Sequence, residues 1–237
     1  PDVITLQKIL YRMEKAGVTH VSVEVSSHAL SLNRIAGCEF DTAIFTNLTQ
    51  DHLDYHKTME SYAETKARLF SLVSADKHSK PLKSGIINID DSYATIMKSF
   101  VNKKTFCPVF TYGIENEADL QAINIKFSRQ ALSFDLKMDD ITYSVHTKLV
   151  GRFNVYNTLA AIGAALSEGI RIDQIISALS TFTTVPGRFE IVDEGQPFTV
   201  IVDYAHTPDG LENILKTTRE FTKGRIITVF GCGGDRD

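Results

Sequence analysis

The spacing of apolar residues along the first half of the chain predicts helices and strands in alternation. Apolar side chains at positions 6, 9, 10 and 13 form one face of a helix over residues 4–15. Further helices are predicted over residues 58–74, with Thr58 as N-cap, and over residues 91–101. Short β-branched and apolar runs predict strands around them, at residues 21–25, 41–46, 85–89 and 109–112. This order is typical of an α/β fold with a doubly wound, mainly parallel sheet.

The pattern changes in the middle of the chain. Partial alternation of apolar and polar residues predicts three strands, at residues 120–127, 131–138 and 141–149, with turns at Gln130 and at Asp139-Asp140. Their short turns predict a small antiparallel sheet attached to the parallel one. Two helices follow, an alanine-rich one over residues 154–169 that ends at Gly169, and one over residues 173–179 with Asp173 as N-cap.

A break at Pro186-Gly187 divides the chain. Beyond it, residues 199–203 and 225–230 predict strands on either side of a helix that begins at Thr207-Pro208. This order predicts the first βαβ unit of a second, Rossmann-like domain, so we assign residues 1–186 to one domain and residues 187–237 to the start of another. Because the chain begins with Pro1 and ends in a glycine-rich turn that normally feeds a helix, we expect it to be part of a longer protein.

Composition excludes several classes of protein. Hydrophobic residues make up 43% of the 237 residues and charged residues 23%, as in a globular domain. The net charge of −4 offers no basis for binding nucleic acid or an anionic membrane surface, and no apolar run approaches the length of a membrane span. The three cysteines, Cys38, Cys107 and Cys232, are widely spaced, which predicts free thiols of a cytoplasmic protein.

Polar residues cluster where three of the predicted strands end. One cluster begins at Glu24, a second runs from Thr46 to His56 and contains two aspartates and two histidines, and a third begins at Asp203. A single cluster of this kind is most simply a solvated polar loop. Since ligands of open α/β sheets bind beyond the carboxyl ends of the strands, three such clusters favour a metal or phosphate site along this edge.

Lys66 lies inside the apolar stripe of the helix over residues 58–74, one turn from Tyr62 and from Phe70. A lysine that covers apolar surface with its stem while its ammonium reaches water would explain this position. The functional alternative is an active-site lysine. An ammonium cannot ligate a cation, but a carbamylated lysine is an anion with two oxygens that suit magnesium.

Two asparagines open the alanine-rich helix, and an arginine follows the chain break. Asn154 is explained by an N-cap role, whereas Asn157 lies in the third position of the predicted helix, where capping explains it less well. Its carboxamide can pair with an adenine edge through one donor and one acceptor. Arg188 is either a solvated surface residue or a guanidinium that binds phosphate.

Seven motifs, in order along almost the whole chain, resemble those of the Mur ligases, and most closely those of the members that add the third residue of the peptidoglycan stem peptide. The motifs are Glu24-Val-Ser-Ser-His-Ala-Leu, Thr46-Asn-Leu-Thr-Gln-Asp-His-Leu-Asp-Tyr-His, Tyr62-Ala-Glu-Thr-Lys66, Gly151-Arg-Phe-Asn-Val-Tyr-Asn, Pro186-Gly-Arg-Phe-Glu, Asp203-Tyr-Ala-His-Thr-Pro and Gly231-Cys-Gly-Gly-Asp-Arg-Asp. The family reaction is ATP-driven amide formation through an acyl phosphate, in which L-lysine or meso-diaminopimelate is joined to UDP-MurNAc-L-Ala-D-Glu.

The resemblance implies catalytic and metal-binding roles for Glu24 and His52, which would hold magnesium, and for carbamylated Lys66, which would bind a second magnesium. Ser26 and Arg34 would contact the UDP-muramoyl dipeptide. The residues implied in ATP binding are Asn154 and Asn157 at the adenine, Arg188 at the phosphates or ribose, Asp203 at the ribose hydroxyls, and His206 in an unassigned role. His28 and His56 belong to the motifs and are assigned structural roles.

Departures from the family pattern qualify these expectations. Leu32 stands where several relatives have a glutamine, so one substrate hydrogen bond is not expected. The 237 residues contain no G-x-x-x-x-G-K-[ST] pattern, so the resemblance implies the central ATPase domain without its P-loop, plus the start of the C-terminal domain.

Two alternatives to this function stay open at this point. One is a folylpolyglutamate- or cyanophycin-type ligase of the same superfamily. The other is a folded module that binds nucleotide weakly or not at all, because a missing P-loop weakens phosphate binding. We expect the isolated chain to be monomeric and inactive.

Overall fold

The computed structural model describes residues 1–75, 83–102, 107–128, 131–183 and 185–231. In chain order its elements are α1 (Val3–Lys15), α2 (Ser27–Ser31), β1 (Thr42–Phe45), α3 (Leu53–His56), α4 (Met59–Val73), β2 (Ser84–Asn88), α5 (Ala94–Ser99), β3 (Val109–Gly113), β4 (Leu120–Phe127), β5 (Leu132–Met138), β6 (Ile141–Thr147), α6 (Arg152–Ser167), α7 (Ile172–Thr181), β7 (Glu190–Val192), β8 (Val200–Val202) and α8 (Pro208–Phe221).

The central sheet has six strands in the order β1 to β6. Strands β1 to β4 are parallel, and β4, β5 and β6 pair antiparallel, so the predicted antiparallel strands extend the parallel sheet. Strand β4 begins beside the end of β3, and only Tyr112↔Leu120 and Gly113↔Gln121 are paired between them. Because the overlap is short, the connection between these parallel strands does not need a crossover helix.

Helices cover both faces of the sheet, as the doubly wound prediction requires. Neighbouring residues of β2 point to opposite faces: Ile86 packs in the core with α6 and α7, and Ile87 packs in the core with α4 and α5. All five residues of β2 are buried, which is typical of a central parallel strand with helices on either side.

Several helix ends confirm the sequence prediction. The side chain of Thr58 accepts a hydrogen bond from the backbone N–H of Ser61 at 3.1 Å and caps α4. Thr207 caps α8 in the same way, with Pro208 in the first turn, and Gly169 follows α6 with a positive φ of 77°. Cys38 and Cys107 are free thiols as predicted.

Two predicted N-caps were wrong. Helix α6 begins at Arg152 with Gly151 as its N-cap, so Asn154 lies inside the first turn. Helix α7 begins at Ile172 with Arg171 as its N-cap, and the carboxylate of Asp173 accepts hydrogen bonds from the Arg171 guanidinium instead of capping the helix.

Two predicted strands, at residues 21–25 and 225–230, are not strands in the structure. Their apolar composition predicted them, but a strand also needs a hydrogen-bonded neighbour, and no described strand pairs with either segment. The unit after the chain break is therefore an antiparallel pair, β7 and β8, followed by α8, and β7 was not predicted.

Some predictions fall on parts of the chain that the structure does not describe. They are the turn at Gln130, the thiol of Cys232 and the glycine-rich motif after Gly231. Among the described helices, none combines the length and apolar character needed to cross a membrane.

Candidate functional site

The polar loop after β1 leads into the short helix α3 through a strained residue. His52 has a φ of 56°, which is uncommon for a residue with a side chain. Its backbone N–H donates to Oδ1 of Asp51 at 2.8 Å, and its Nδ1 lies 3.5 Å from the same oxygen. Asp51 therefore contacts both the backbone and the ring of His52.

Three histidines and two tyrosines on or beside α2, α3 and α4 pack together, and we call His28, His52, Tyr55, His56 and Tyr62 the histidine cluster. The His28 ring centroid lies 4.8 Å from that of His52 and 4.4 Å from that of Tyr55. The His56 ring stacks on that of Tyr62, with 4.9 Å between the ring centroids. Motifs that are far apart in sequence thus meet beside α4.

His56 is a buried member of this cluster. Its Nε2 lies 2.8 Å from Oγ of Ser27, which joins α3 to the start of α2. Burial lowers the pKa of His56, and the neighbouring imidazoles of His28 and His52 lower it further. The neutral form of His56 is therefore favoured, in agreement with a structural role.

Lys66 lies against the same cluster on α4. Its Nζ is 5.5 Å from the centroid of the Tyr62 ring. Burial lowers the pKa of Lys66, and the carboxylates of Glu24 and Asp51 partly oppose that shift. Burial also raises the pKa of Tyr62 to about 12, with a further contribution from Asp51. Two carboxylates and a half-buried amine thus interact beside the histidine cluster.

Within the part of the chain that the structure describes, no three His, Cys, Asp or Glu side chains are arranged to hold a metal ion. The predicted metal residues do lie in one region: the ring centroids of His52 and Tyr62 are 6.2 Å apart, and the charge of Glu24 acts on Lys66. The described side chains thus bring the predicted metal residues into one region without forming a group of three ligands.

The predicted substrate residues lie beside α2. Ser26 is the N-cap of that helix, and its Oγ accepts from the backbone N–H of Ala29 at 3.2 Å. Arg34 is exposed, and its backbone N–H donates to the Ala29 carbonyl oxygen at 2.8 Å. The next residue after Ser26 is Ser27, which contacts His56, so the start of α2 adjoins the histidine cluster.

The two asparagines of α6 differ in burial. Asn154 is buried, and its Nδ2 donates to the carbonyl oxygen of Val150 at 2.7 Å. Its Oδ1 accepts from Nδ2 of Asn157 at 3.0 Å, and Asn157 is exposed. Asn157 therefore presents an acceptor and a remaining N–H at the surface, while its bond to Asn154 orients the amide.

The third polar cluster surrounds β8. The guanidinium carbon of Arg188 lies 4.9 Å from the centroid of the Tyr204 ring, and the His206 ring centroid also lies 4.9 Å from that of Tyr204. Asp203 accepts from the backbone N–H of Phe189 and from that of Ala205, both at 2.7 Å. The bond to Phe189 fixes the backbone next to Arg188.

A cavity of about 220 Å³ lies between α6 and the β7–β8 unit. Asn154 and Arg188 both line it. Two of the predicted nucleotide residues, which are far apart in sequence, thus border one cavity.

Comparison with known proteins identifies the family. The model of the Mur ligase middle domain matches residues 1–165, and that of the Mur ligase glutamate ligase domain matches residues 187–237. The chain belongs to the Mur ligase family.

Individual relatives agree with this assignment. The chain is 50% identical over 238 residues to the UDP-N-acetylmuramoyl-L-alanyl-D-glutamate--2,6-diaminopimelate ligase of Bacillus velezensis, covering 100% of this chain and 48% of that protein. The ligase of the same name from Bacillus cereus is 47% identical over 237 residues, with coverages of 100% and 48%. The chain spans about half the length of the curated relatives that it matches.

Solved structures of Mur ligases share the fold. A UDP-N-acetylmuramoyl-L-alanyl-D-glutamate--2,6-diaminopimelate ligase superposes with a TM-score of 0.80 at 36% identity, over 100% of this chain and 47% of that one. MurF from Acinetobacter baumannii superposes with a TM-score of 0.64 over 77% of this chain and 38% of that one, but at 20% identity, which shows a common fold only.

Three polar residues at the end of β2 were missed in the sequence prediction. In this Mur ligase chain, the side chains of Asn88 and Asp91 bind the loop after β1. The side chain of Asp90 binds the turn after β3 and helix α6. They stand directly after or at the end of a buried parallel strand, as the predicted clusters follow predicted strands. The rule about strand ends, applied to β2, would have drawn attention to these positions, but not to the distant partners that they bind.

Proposed function

We propose that this chain is part of an ATP-dependent amide ligase that joins 2,6-diaminopimelate to UDP-MurNAc-L-Ala-D-Glu in peptidoglycan synthesis. The observation that carries the reaction type is the convergence of Glu24, Asp51 and His52 on the region of Lys66. The choice of amino acid and of the UDP-linked substrate rests on the names of the relatives that are 50% and 47% identical. ATP and a UDP-linked sugar are cytoplasmic substrates, and we assign the reaction to that compartment.

Lys66 is suited to carbamylation. Its neutral amine attacks carbon dioxide and releases a proton, so the lysine becomes a carbamate anion. Burial lowers the pKa of Lys66 and so increases the fraction in the reactive neutral form. The product would stand near the carboxylates of Glu24 and Asp51, and three anions in a half-buried region need a cation.

Magnesium supplies that positive charge in our proposal: Glu24 and His52 would hold one ion, and the carbamate of Lys66 would hold a second. When bound, magnesium neutralises charge on the phosphates during phosphoryl transfer. Asp51 positions the ring and the backbone of His52, at 3.5 Å and 2.8 Å. Tyr62, which stacks on buried His56, lies beside Lys66 and limits where its side chain can go.

We place the nucleotide site where two proposed domains meet, one of residues 1–186 and one of residues 187–237. Asn157 pairs with the adenine edge through its exposed acceptor and remaining donor. Arg188 binds the phosphates or the ribose, with Tyr204 packed against its guanidinium. Asp203 already accepts two backbone bonds, and its remaining lone pairs are available to ribose hydroxyls.

The remaining proposed residues complete the site. Ser26 and Arg34 bind the UDP-linked dipeptide, the arginine by charge and the serine by its hydroxyl. His206 lies beside Tyr204, where it borders the nucleotide. Positioning and charge neutralisation, and not covalent chemistry by the protein, then account for most of the catalysis.

The test measures phosphate release by the full-length protein that carries this chain. With ATP, magnesium, UDP-MurNAc-L-Ala-D-Glu and 2,6-diaminopimelate, we expect turnover that L-lysine does not support. Lys66→Ala should lower turnover by more than about a hundredfold, because the carbamate is lost. Added bicarbonate should not restore activity, since alanine has no amine to modify.

Lys98→Ala is the matched control, because Lys98 is an exposed lysine on α5, outside the histidine cluster, and its variant should retain turnover. Near-normal turnover of Lys66→Ala would rule out the carbamate. Turnover with a substrate of a different class, and none with the UDP-linked dipeptide, would rule out the assigned reaction.

A further inference from the structure

The polar residues at the end of β2 form a structure that we call the β2 clasp, made of Asn88, Asp90 and Asp91. Toward β1, Asn88 donates through Nδ2 to the carbonyl oxygen of Thr46 at 2.7 Å. Asp91 accepts through Oδ2 from the backbone N–H of Leu48 at 2.8 Å. The clasp therefore holds the loop that leads to the histidine cluster.

Asp90 binds the turn after β3 and is densely hydrogen-bonded. It accepts from the backbone N–H of Ile114 at 2.6 Å, and from those of Glu115 and Asn116 at 2.9 Å each. Nδ2 of Asn116 also donates to it at 2.9 Å. Three successive backbone N–H groups that surround a carboxylate form an anion-binding turn, which Asp90 fills from within the chain.

Gly113 makes this close approach possible. A Cβ atom at that position would lie 3.0 Å from Oδ1 of Asp90 and 3.1 Å from its Oδ2. A residue with a side chain at the end of β3 would therefore push the carboxylate away from the turn that it binds. Gly113 at the end of β3 and Asp90 after β2 are thus matched to each other in size.

Helix α6 is also hydrogen-bonded to Asp90. The hydroxyl of Tyr156 donates to Oδ2 of Asp90 at 2.9 Å. Arg152, in the first turn of α6, forms an ion pair with Glu115 of the turn that Asp90 binds. Asn157 follows Tyr156 directly, so these two contacts fix the part of α6 that presents Asn157.

The pKa shifts of Asp90 and Tyr156 favour an ionised Asp90 and a neutral Tyr156 in this contact. Burial acts to raise the pKa of Asp90, but the hydrogen bonds from Ile114, Glu115 and Asn116 outweigh it and lower the pKa. Burial and the bond to Asp90 both raise the pKa of Tyr156. Near neutral pH the pair is therefore a charge-assisted hydrogen bond, which is stronger than one between neutral groups.

We propose that Asp90 and Tyr156 are positioning residues of the nucleotide site, which hold α6 and Asn157 at a fixed distance from the histidine cluster. The inference rests on the proposed function, in which α6 receives the adenine and the cluster region receives the phosphates. The elements that bind the two ends of one ATP molecule are then attached to the same clasp. A small shift of α6 would separate adenine binding from correct placement of the phosphates.

The experiment compares Tyr156→Phe with the wild-type full-length protein, because this change removes only the hydroxyl that bonds to Asp90. We expect the KM for ATP to rise about five- to tenfold, because α6 is then held less firmly where it presents Asn157 to the adenine. The KM for the UDP-linked substrate should stay within about twofold. The thermal unfolding midpoint should fall only as far as the loss of a single hydrogen bond requires, since the rest of the clasp remains.

Tyr143→Phe is the matched control. Tyr143 is a half-buried tyrosine on β6, away from the clasp, so loss of its hydroxyl should leave all constants unchanged. Asp90→Asn disturbs more of the clasp and puts folding at risk, so Tyr156→Phe carries the test. Three outcomes would overturn the positioning role. They are an unchanged KM for ATP, a lower kcat with equal changes in the KM values of both substrates, and a loss of stability without any change in KM.

The same data separate the two proposals. Turnover by the wild-type protein establishes the proposed reaction, whatever Tyr156→Phe does. If the wild-type protein shows none, titration with adenylyl imidodiphosphate still tests the clasp, because binding of this nucleotide needs no reaction. Equal affinity of the wild-type and Tyr156→Phe proteins for it would then overturn the positioning role.

Discussion

Among single residues, the site is distinguished by ionisable side chains that are held away from water. His56 is 6% exposed and lies beside two other imidazoles and near the amine of Lys66. Burial destabilises the charged form of such a group, and at His56 the neighbouring basic side chains add to that effect. The protein therefore favours the neutral form of His56, whereas at Lys66 burial lowers the pKa and the carboxylates of Glu24 and Asp51 oppose that shift.

The burial of His56 predicts a dependence of stability on pH. The folded pKa of His56 lies below its ordinary value of 6.5, so just below that value the unfolded chain binds a proton that the folded chain does not. Stability should therefore fall as pH drops from about 7 to about 5 in magnesium-free buffer. Urea unfolding at a series of pH values measures it.

His56→Gln should reduce the slope of that fall, because glutamine has no proton to gain. His146→Gln serves as the control, since the His146 side chain is exposed on β6 and lies outside the histidine cluster. Identical slopes for the wild-type protein and His56→Gln would contradict the assignment of the effect to this imidazole.

Among the elements, α6 combines structural and binding roles in adjacent turns. Its buried face packs on the sheet through Val155, Leu159 and Ile162. On its first turns, Asn154 bonds inward to Val150 while Asn157 is exposed. Residues of the same type in one motif thus have different environments, which predict different roles.

Alanine substitutions should separate those roles. Asn154→Ala should lower the free energy of unfolding by about 1–3 kcal/mol, because it removes a buried amide and leaves the Val150 carbonyl without that donor. Asn157→Ala should cost less than about 1 kcal/mol, as expected for an exposed side chain. Its effect should appear in a higher Kd for ATP. Chemical denaturation and nucleotide titration of both variants give the comparison, and equal losses of stability would contradict it.

In the molecule as a whole, α6 also packs against the β7–β8 unit and α8, and we call this contact region the joint. The Phe189 ring centroid lies 6.0 Å from that of Phe153 on α6 and 6.1 Å from that of Phe221 on α8. Gly151, the N-cap of α6, approaches α8 so closely that a Cβ atom would lie 2.8 Å from Cγ2 of Thr217. Because the cavity that Asn154 lines lies at this joint, its shape depends on the same contacts.

Phe189→Ala should therefore weaken the joint. Phe189 is 3% exposed, and its truncation should cost about 3–5 kcal/mol of unfolding free energy. Phe182→Ala is the matched control, because Phe182 is 46% exposed and its loss should cost less than about 1 kcal/mol. Thermal and urea unfolding of both variants measure the difference. Similar costs for the two would show that the aromatic contact does not hold the two parts together.

Much of the fold could be predicted because it depends on neighbours in sequence. The spacing of apolar residues defined α1 and α4 to within a few residues, and the alanine-rich composition with Gly169 at its end did the same for α6. Thr58 and Thr207 were recognised as helix starts from residues within one turn. Contacts within one turn need no knowledge of the rest of the chain. The seven motifs likewise identified the family, since they are properties of the sequence itself.

Features that depend on distant partners were visible only in three dimensions. Residues 21–25 and 225–230 have the composition of strands, yet pairing requires a neighbouring strand that no local pattern specifies. Asp90 is an ordinary aspartate in the sequence, and only folding brings Tyr156, 66 positions away, to its carboxylate. Most elements and the family could thus be inferred from the order of residues, because both are local properties. The neutral form of His56, the inward bond of Asn154 and the clasp at β2 arise from burial, which long-range packing creates.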